Sequence, residues 1–191
     1  MNVKKLMALS GLLSLFGIGC AKVDPTTAPQ METIYGFTMK DIDGKDVPLK
    51  KFEGRVLLVV NVASKCGLTP QYDALEKLYT DHEKAGLTVL GFPANDFMGQ
   101  EPGTDAEIKS FCTTKFNVTF PMFSKISVKG NERNELYTWM IARSGKLDEI
   151  EWNFAKFLIG RDGKVKKRFG PRTAPDAPEI LEAIKAELAV K

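Results

Sequence analysis

Cys66 stands in the stretch Asn61-Val-Ala-Ser-Lys-Cys-Gly-Leu-Thr-Pro-Gln-Tyr72, directly after a run of aliphatic residues and just before Thr69-Pro70, which reads as the opening of a helix with Thr69 as its N-cap. A thiol at a strand-to-helix junction meets unpaired backbone N–H groups and the positive end of the helix dipole, and both favour the thiolate. Lys65 adds a positive charge beside it, while polar Ser64 and the Gly67 hinge argue for partial exposure. Nucleophilicity is the expected property.

The chain has 3 cysteines and 1 histidine. Met1 to Lys5 form a basic n-region and Leu6 to Gly19 an apolar stretch too short to span a bilayer, the pattern of an export signal. The leader ends at Gly17-Ile-Gly-Cys20, and a cysteine after small residues is similar to the lipidation site of bacterial lipoprotein precursors, although Gly17 holds the place where such sites usually carry Leu. An acylated Cys20 would hold the protein on a membrane in the bacterial cell envelope or periplasm, since each buried CH2 contributes about 0.8 kcal/mol. The Pro- and Thr-containing segment behind it is expected to be a flexible tether. The expected organisation is therefore a signal peptide over 1–19, lipidated cysteine and tether over 20–33, and one domain over 34–191.

Export permits disulfides, so Cys66 and Cys112 could form a static bridge or a redox pair. A chain of 191 residues, 43% of them hydrophobic, can bury one core without a staple, which favours the redox reading. A metal site has little support, because His82 has no second histidine and no Cys-x-x-Cys pair exists. Loss of the leader takes Lys4 and Lys5 and lowers the formal charge from +3 to +1, too near neutral for a nucleic-acid partner. The basic residues Lys164, Lys166, Lys167, Arg168 and Arg172 read as a solvated strand face.

The elements that must position these groups follow from periodicity. Phe37 to Leu49, with Asp43-Gly44 at its middle, reads as a hairpin; Val56 to Val62 and Leu87 to Phe92 read as strands buried on both faces. Tyr72, Leu75, Leu78 and Tyr79 mark a helix stopped at Gly86. Thr104 and Glu107 have the spacing of a capping box, which places Ile108, Phe111 and Cys112 on one apolar helical face. A further helix is expected near Asn131 to Arg143, a hairpin over Trp152 to Phe169, and a last helix from about Asp176 with Ile180, Leu181, Ile184 and Leu188 inward. Strands alternating with helices imply an α/β sandwich with a mixed central sheet.

Three blocks, Asn61 to Tyr72, then Gly91-Phe-Pro-Ala-Asn-Asp-Phe-Met-Gly-Gln-Glu-Pro-Gly103, then Trp152-Asn-Phe-Ala-Lys-Phe157, occur in the order in which the chain resembles the glutathione peroxidase family. The resemblance implies a thioredoxin-like fold with an N-terminal β-hairpin, a catalytic tetrad at Cys66, Gln100, Trp152 and Asn153, and no cofactor. It implies reduction of hydrogen peroxide and organic or lipid hydroperoxides, with Cys112 as resolving thiol and a thioredoxin-like dithiol, or glutathione, as reductant. Neutral donors suit an anionic sulfur, because the amides of Gln100 and Asn153 and the Trp152 indole N–H stabilise charge without exchanging protons. A disulfide needs Cα atoms within roughly 7 Å, so the turn around Phe111 to Thr114 is expected to unwind during turnover.

The chain departs from its relatives at three places. Ala94 stands where many have cysteine, Asp96 where glutamine is frequent, and Met98 where glycine is frequent. Asp96 raises the prospect of a negative charge opposing the thiolate. The short segment between Arg143 and Trp152 lacks the insertion of tetrameric relatives, so a monomer is expected. A thioredoxin-type disulfide oxidoreductase would want a second cysteine at position 69, where Thr69 stands; a copper-binding protein on the same fold would need a histidine better placed than His82.

Overall fold

Asp43-Gly44 turns the chain between β1 (Thr38–Lys40) and β2 (Asp46–Pro48), an antiparallel pair in register from Thr38 opposite Pro48 to Lys40 opposite Asp46. Gly44 takes φ +79°, a left-handed conformation that glycine reaches without steric cost. The structure, a computed structural model, describes Lys22 and residues 24–190. The proposed leader and Cys20 lie outside the described residues.

The aliphatic run Val56–Val62 forms β3, every residue of it buried, and pairs in parallel with β4 (Leu87–Pro93). Between them lies α1 (Gln71–His82), followed by a short 3-10 turn and Gly86 at φ +108°. Next come α2 (Asp105–Phe116), α3 (Glu135–Arg143), the antiparallel strands β5 (Lys156–Ile159) and β6 (Val165–Phe169), and α4 (Pro178–Ala189). The sheet order is β4-β3-β5-β6, with β3 and β5 antiparallel, so the sheet is mixed.

Alternation along β3 sends side chains to opposite faces and divides the core in two. Leu57 and Val59 join Leu90, Phe92 and Phe157 against Tyr137, Met140 and Ile141 of α3. Val56, Leu58, Val60 and Val62 face Tyr72 and Leu75 of α1, Ile108 and Cys112 of α2, and Ile180 and Ile184 of α4. The fold is the thioredoxin-like α/β sandwich with an added N-terminal hairpin.

The capping box at α2 forms as its spacing requires: Thr104 Oγ1 accepts from Glu107 N, and Glu107 Oε2 accepts from Thr104 N. Such a cap contributes about 1 kcal/mol. Four expectations need correction. Thr69 does not cap α1; its hydroxyl turns back into the preceding loop, where a buried N–H needs a partner more than the helix end does. Helix α3 begins only after Asn134, whose side chain accepts from Leu136 N. Leu181 is exposed on α4, the buried face being carried by Ile180 and Ile184. Arg168 is buried rather than solvated, with its guanidinium donating to the carbonyls of Asp148 and Glu149 and to the Glu151 carboxylate.

The stretch expected to be tether also differs over its described part. Ala28 is buried, and the indole N–H of buried Trp139 donates to the Met31 carbonyl over 2.7 Å. The stretch is held at Ala28 and at Met31, which packs against the core and accepts from Trp139, while Asp24 to Thr27 remain exposed.

Candidate active site

The loop between β3 and α1 is closed by Thr69. Its hydroxyl donates to the Ala63 carbonyl over 2.9 Å and accepts from Cys66 N over 3.0 Å, while Thr69 N donates to the Cys66 carbonyl. This winds the chain around Cys66 and leaves the residue 9% exposed, just before α1. There the Leu68 N–H points at Sγ over 3.4 Å, one of the unpaired donors that a strand-to-helix junction supplies.

Gln100 comes from the loop after β4. Two successive left-handed residues, Met98 at φ +54° and Gly99 at φ +63°, turn that loop, and the Gln100 carbonyl accepts from Lys65 N over 3.0 Å. The first of these explains why glycine suits position 98: methionine reaches the left-handed region only at some cost. Trp152 arrives from the segment before β5 and packs on Phe97 of the Gln100 loop, with ring centroids 5.4 Å apart.

Cys66, Gln100 and Trp152 line one cavity of about 720 Å³, with Leu68, Glu151, Pro171 and Arg172 completing its wall. Asn153 does not line it. Fully buried, it donates from Nδ2 to Gln100 Oε1 over 3.0 Å. The expected four residues therefore come together in two tiers. With its oxygen accepting from Asn153, Gln100 has its amide NH2 left to donate, the group an anionic sulfur or peroxide oxygen needs.

Cys112 sits in α2, buried and unbridged, as Cys66 is. Burial pushes its thiol up to about 11; the Tyr72 hydroxyl pulls against this and the charge of Glu101 adds to it. Tyr72 stacks on Phe116 and meets Phe154 edge to face, so one ring links the end of α2 to the segment carrying Trp152. Asp96 answers the concern raised by its charge: its carboxylate accepts from Ser127 Oγ and Val128 N, and it does not line the Cys66 cavity. Among the described residues no three His, Cys, Asp or Glu side chains meet in a metal-binding arrangement.

Sequence reasoning overlooked three buried polar residues around this site. Glu101, 1% exposed, accepts from Ser64 Oγ over 3.1 Å, and burial raises its carboxyl pKa against the hydrogen bonds of Ser64 and the charges of Lys125 and Lys65. Lys156, fully buried, donates to Gln71 Oε1, Thr173 O and Pro171 O, which fixes the Pro171 wall of the cavity; burial lowers its ammonium to about 7. Asn61 interrupts the aliphatic β3. A polar residue inside an apolar run was the available signal for Asn61 and Lys156.

A thioredoxin-like sheet presenting a cysteine ahead of its first helix, without a second cysteine one turn on, sets the chain apart from the Cys-x-x-Cys oxidoreductases of this fold. The glutathione peroxidase family model matches residues 34–141. The chain is 49% identical over 180 residues to the thioredoxin/glutathione peroxidase BtuE of Escherichia coli K12, covering 83% of this chain and 98% of that one. It is 49% identical over 158 residues to the hydroperoxy fatty acid reductase gpx1 of Synechocystis, covering 78% and 94%. Among solved structures it is similar to T. cruzi GPX1, with a TM-score of 0.65 and 34% identity over 82% of this chain and 97% of that one. The chain belongs to the glutathione peroxidase family.

Proposed function

We propose that this chain is a thiol peroxidase in which Cys66 is the peroxide-reducing sulfur and Cys112 the resolving one. The thiolate of Cys66 attacks the outer oxygen of a hydroperoxide; the O–O bond breaks, a proton converts the departing oxygen to water or alcohol, and the sulfur becomes a sulfenic acid. The Cys112 thiol then displaces hydroxide from that sulfur, and its proton leaves with the hydroxide as water. A dithiol reopens the disulfide by exchange and is itself oxidised. Gln100 and Trp152 face the charge that moves from sulfur to oxygen, at a few kcal/mol for a well-placed donor in comparable oxyanion sites.

The observation that carries this reading is the convergence of Cys66, Gln100 and Trp152 on one cavity, with Asn153 bonded to Gln100. Mass spectrometry of the reduced protein treated with one equivalent of hydrogen peroxide tests it. Rapid loss of two hydrogens, mapped to Cys66 and Cys112, is expected; an unchanged mass would overturn it.

The reductant is thioredoxin-like or glutathione, the two that the name of the Escherichia coli relative gives, and a resolving cysteine within the chain favours the dithiol. Substrates include fatty-acid or lipid hydroperoxides, as the name of the Synechocystis relative suggests. The enzyme works as a monomer in the cell envelope, tethered through an acylated Cys20. Comparing the full-length chain with Cys20→Ala by membrane fractionation and mass spectrometry checks the tether: the acyl mass and membrane association are expected to vanish together, and association that survives would refute the anchor.

A further inference from the structure

Asn61 is fully buried in β3, a strand otherwise made of valine and leucine. Its Nδ2 donates to the Trp152 carbonyl over 3.1 Å. Its backbone carbonyl accepts from Phe154 N over 2.6 Å, and its own N–H donates to the Ala155 carbonyl over 3.4 Å. One residue thus grips the turn that carries Trp152 and Asn153 at both ends.

That turn is strained. Phe154 is fully buried and takes φ +67°, a left-handed conformation that is unfavourable for a bulky side chain and persists only where its surroundings impose it. The Asn61 amide is moreover half satisfied, since its Oδ1 is buried without a hydrogen-bond partner. A buried amide with an orphaned oxygen is a poor stabiliser compared with the valine or leucine that the rest of the strand uses. Its one hydrogen bond, however, reaches the residue whose ring lines the Cys66 cavity.

We propose that Asn61 is a positioning residue for the peroxide site: by holding the Trp152 carbonyl it keeps the Trp152–Ala155 turn strained, with Trp152 on the cavity wall and Asn153 on Gln100. The proposal rests on the peroxidase reading above. It also explains why the clamp lies on β3: the same strand delivers Cys66 a few residues later, so sulfur and clamp are fixed to one rigid element.

Asn61→Leu keeps the side-chain shape and removes the donor, and Asn61→Val, matching the neighbouring residues, covers the case in which leucine packs poorly. Each full-length variant is compared with wild type in thermal unfolding, in the second-order rate of Cys66 oxidation by hydrogen peroxide, and in the tryptophan emission change that accompanies oxidation. The expected result is a peroxide rate at least 10-fold lower and a diminished emission change in a variant whose unfolding midpoint is unchanged or higher. A rate within twofold of wild type overturns the proposal, as does a loss of rate that follows the fraction unfolded, or failure of both variants to fold, which would make Asn61 a residue of the fold alone. Wild-type protein that fails to react with peroxide would instead refute the underlying reading, so the two failures are distinguishable.

Discussion

Asn153 donates its amide hydrogen to Gln100 Oε1 over 3.0 Å from a fully buried position, so the residue directly after Trp152 holds a second side chain of the same cavity wall. The sequence resemblance implied a tetrad in which Gln100, Trp152 and Asn153 all supply donors to the Cys66 sulfur. Three of the four residues line the cavity, whereas Asn153 lies behind it, hydrogen-bonded to Gln100.

Asn153→Ala frees the Gln100 amide to rotate and present its oxygen to the sulfur. The rate of Cys66 oxidation by peroxide, followed by tryptophan emission in stopped flow, is expected to fall about 10- to 100-fold, part of the loss seen when an oxyanion donor is removed outright. Gln100→Ala should cost at least as much; a smaller effect than Asn153→Ala would mean that Asn153 does not act through Gln100.

Cys112→Ser is expected to stop the reaction at the Cys66 sulfenic acid, trapped as a dimedone adduct, and to abolish turnover with a thioredoxin-like dithiol. Cys112 is buried in a helical turn whose Phe116 stacks on Tyr72, and we propose that disulfide formation opens this turn. Hydrogen exchange at residues 111–116 should therefore be faster in the disulfide form, and equal protection in both forms would contradict local opening.

Glu101→Gln removes a negative charge that pushes the Cys112 thiol up and keeps a side chain able to accept from Ser64. Condensation of Cys112 with the sulfenic acid is expected to quicken at pH 7 and to require less alkaline conditions for its maximum. A slower step would assign Glu101 a proton-accepting role instead.

Lys156 gives stability a pH dependence of known sign. Its folded value, lowered by burial to about 7, lies well below the ordinary 10.5, so between these limits the unfolded chain binds more protons and stability rises with pH. The slope is at most about 1.4 kcal/mol per pH unit for one proton. Cys112 acts oppositely above its ordinary 9.0, because its folded value is raised to about 11. Urea unfolding from pH 7 to 9 should show the rise in wild type and lose it in Lys156→Met.

The elements were legible where one local rule decided them: the two aliphatic strands, the Asp43-Gly44 turn and the Thr104/Glu107 capping box are each set by neighbours in the chain. Cys66 was legible for the same reason, at the end of an apolar run and before a proline. Thr69 was misread because its choice between the helix end and Cys66 N depends on how the loop folds back. Asp96 could not be oriented without Ser127 and Val128, and Arg168 looked solvated until the 146–151 segment was laid across it. Asn153 was legible through the family resemblance, and Asn61 and Lys156 left a local signal as polar residues in apolar runs, but the partners of all three are contacts between distant segments, which spacing along one chain does not encode.

The second-order rate at which hydrogen peroxide converts Cys66 to its sulfenic acid, followed by dimedone trapping in the Cys112→Ser background, tests most directly whether Gln100 and Trp152 activate this sulfur. The rate is predicted to fall at least about 10-fold when either Gln100 is replaced by alanine or Trp152 by phenylalanine. Rates that stay within about twofold of the parent in both variants would contradict the account.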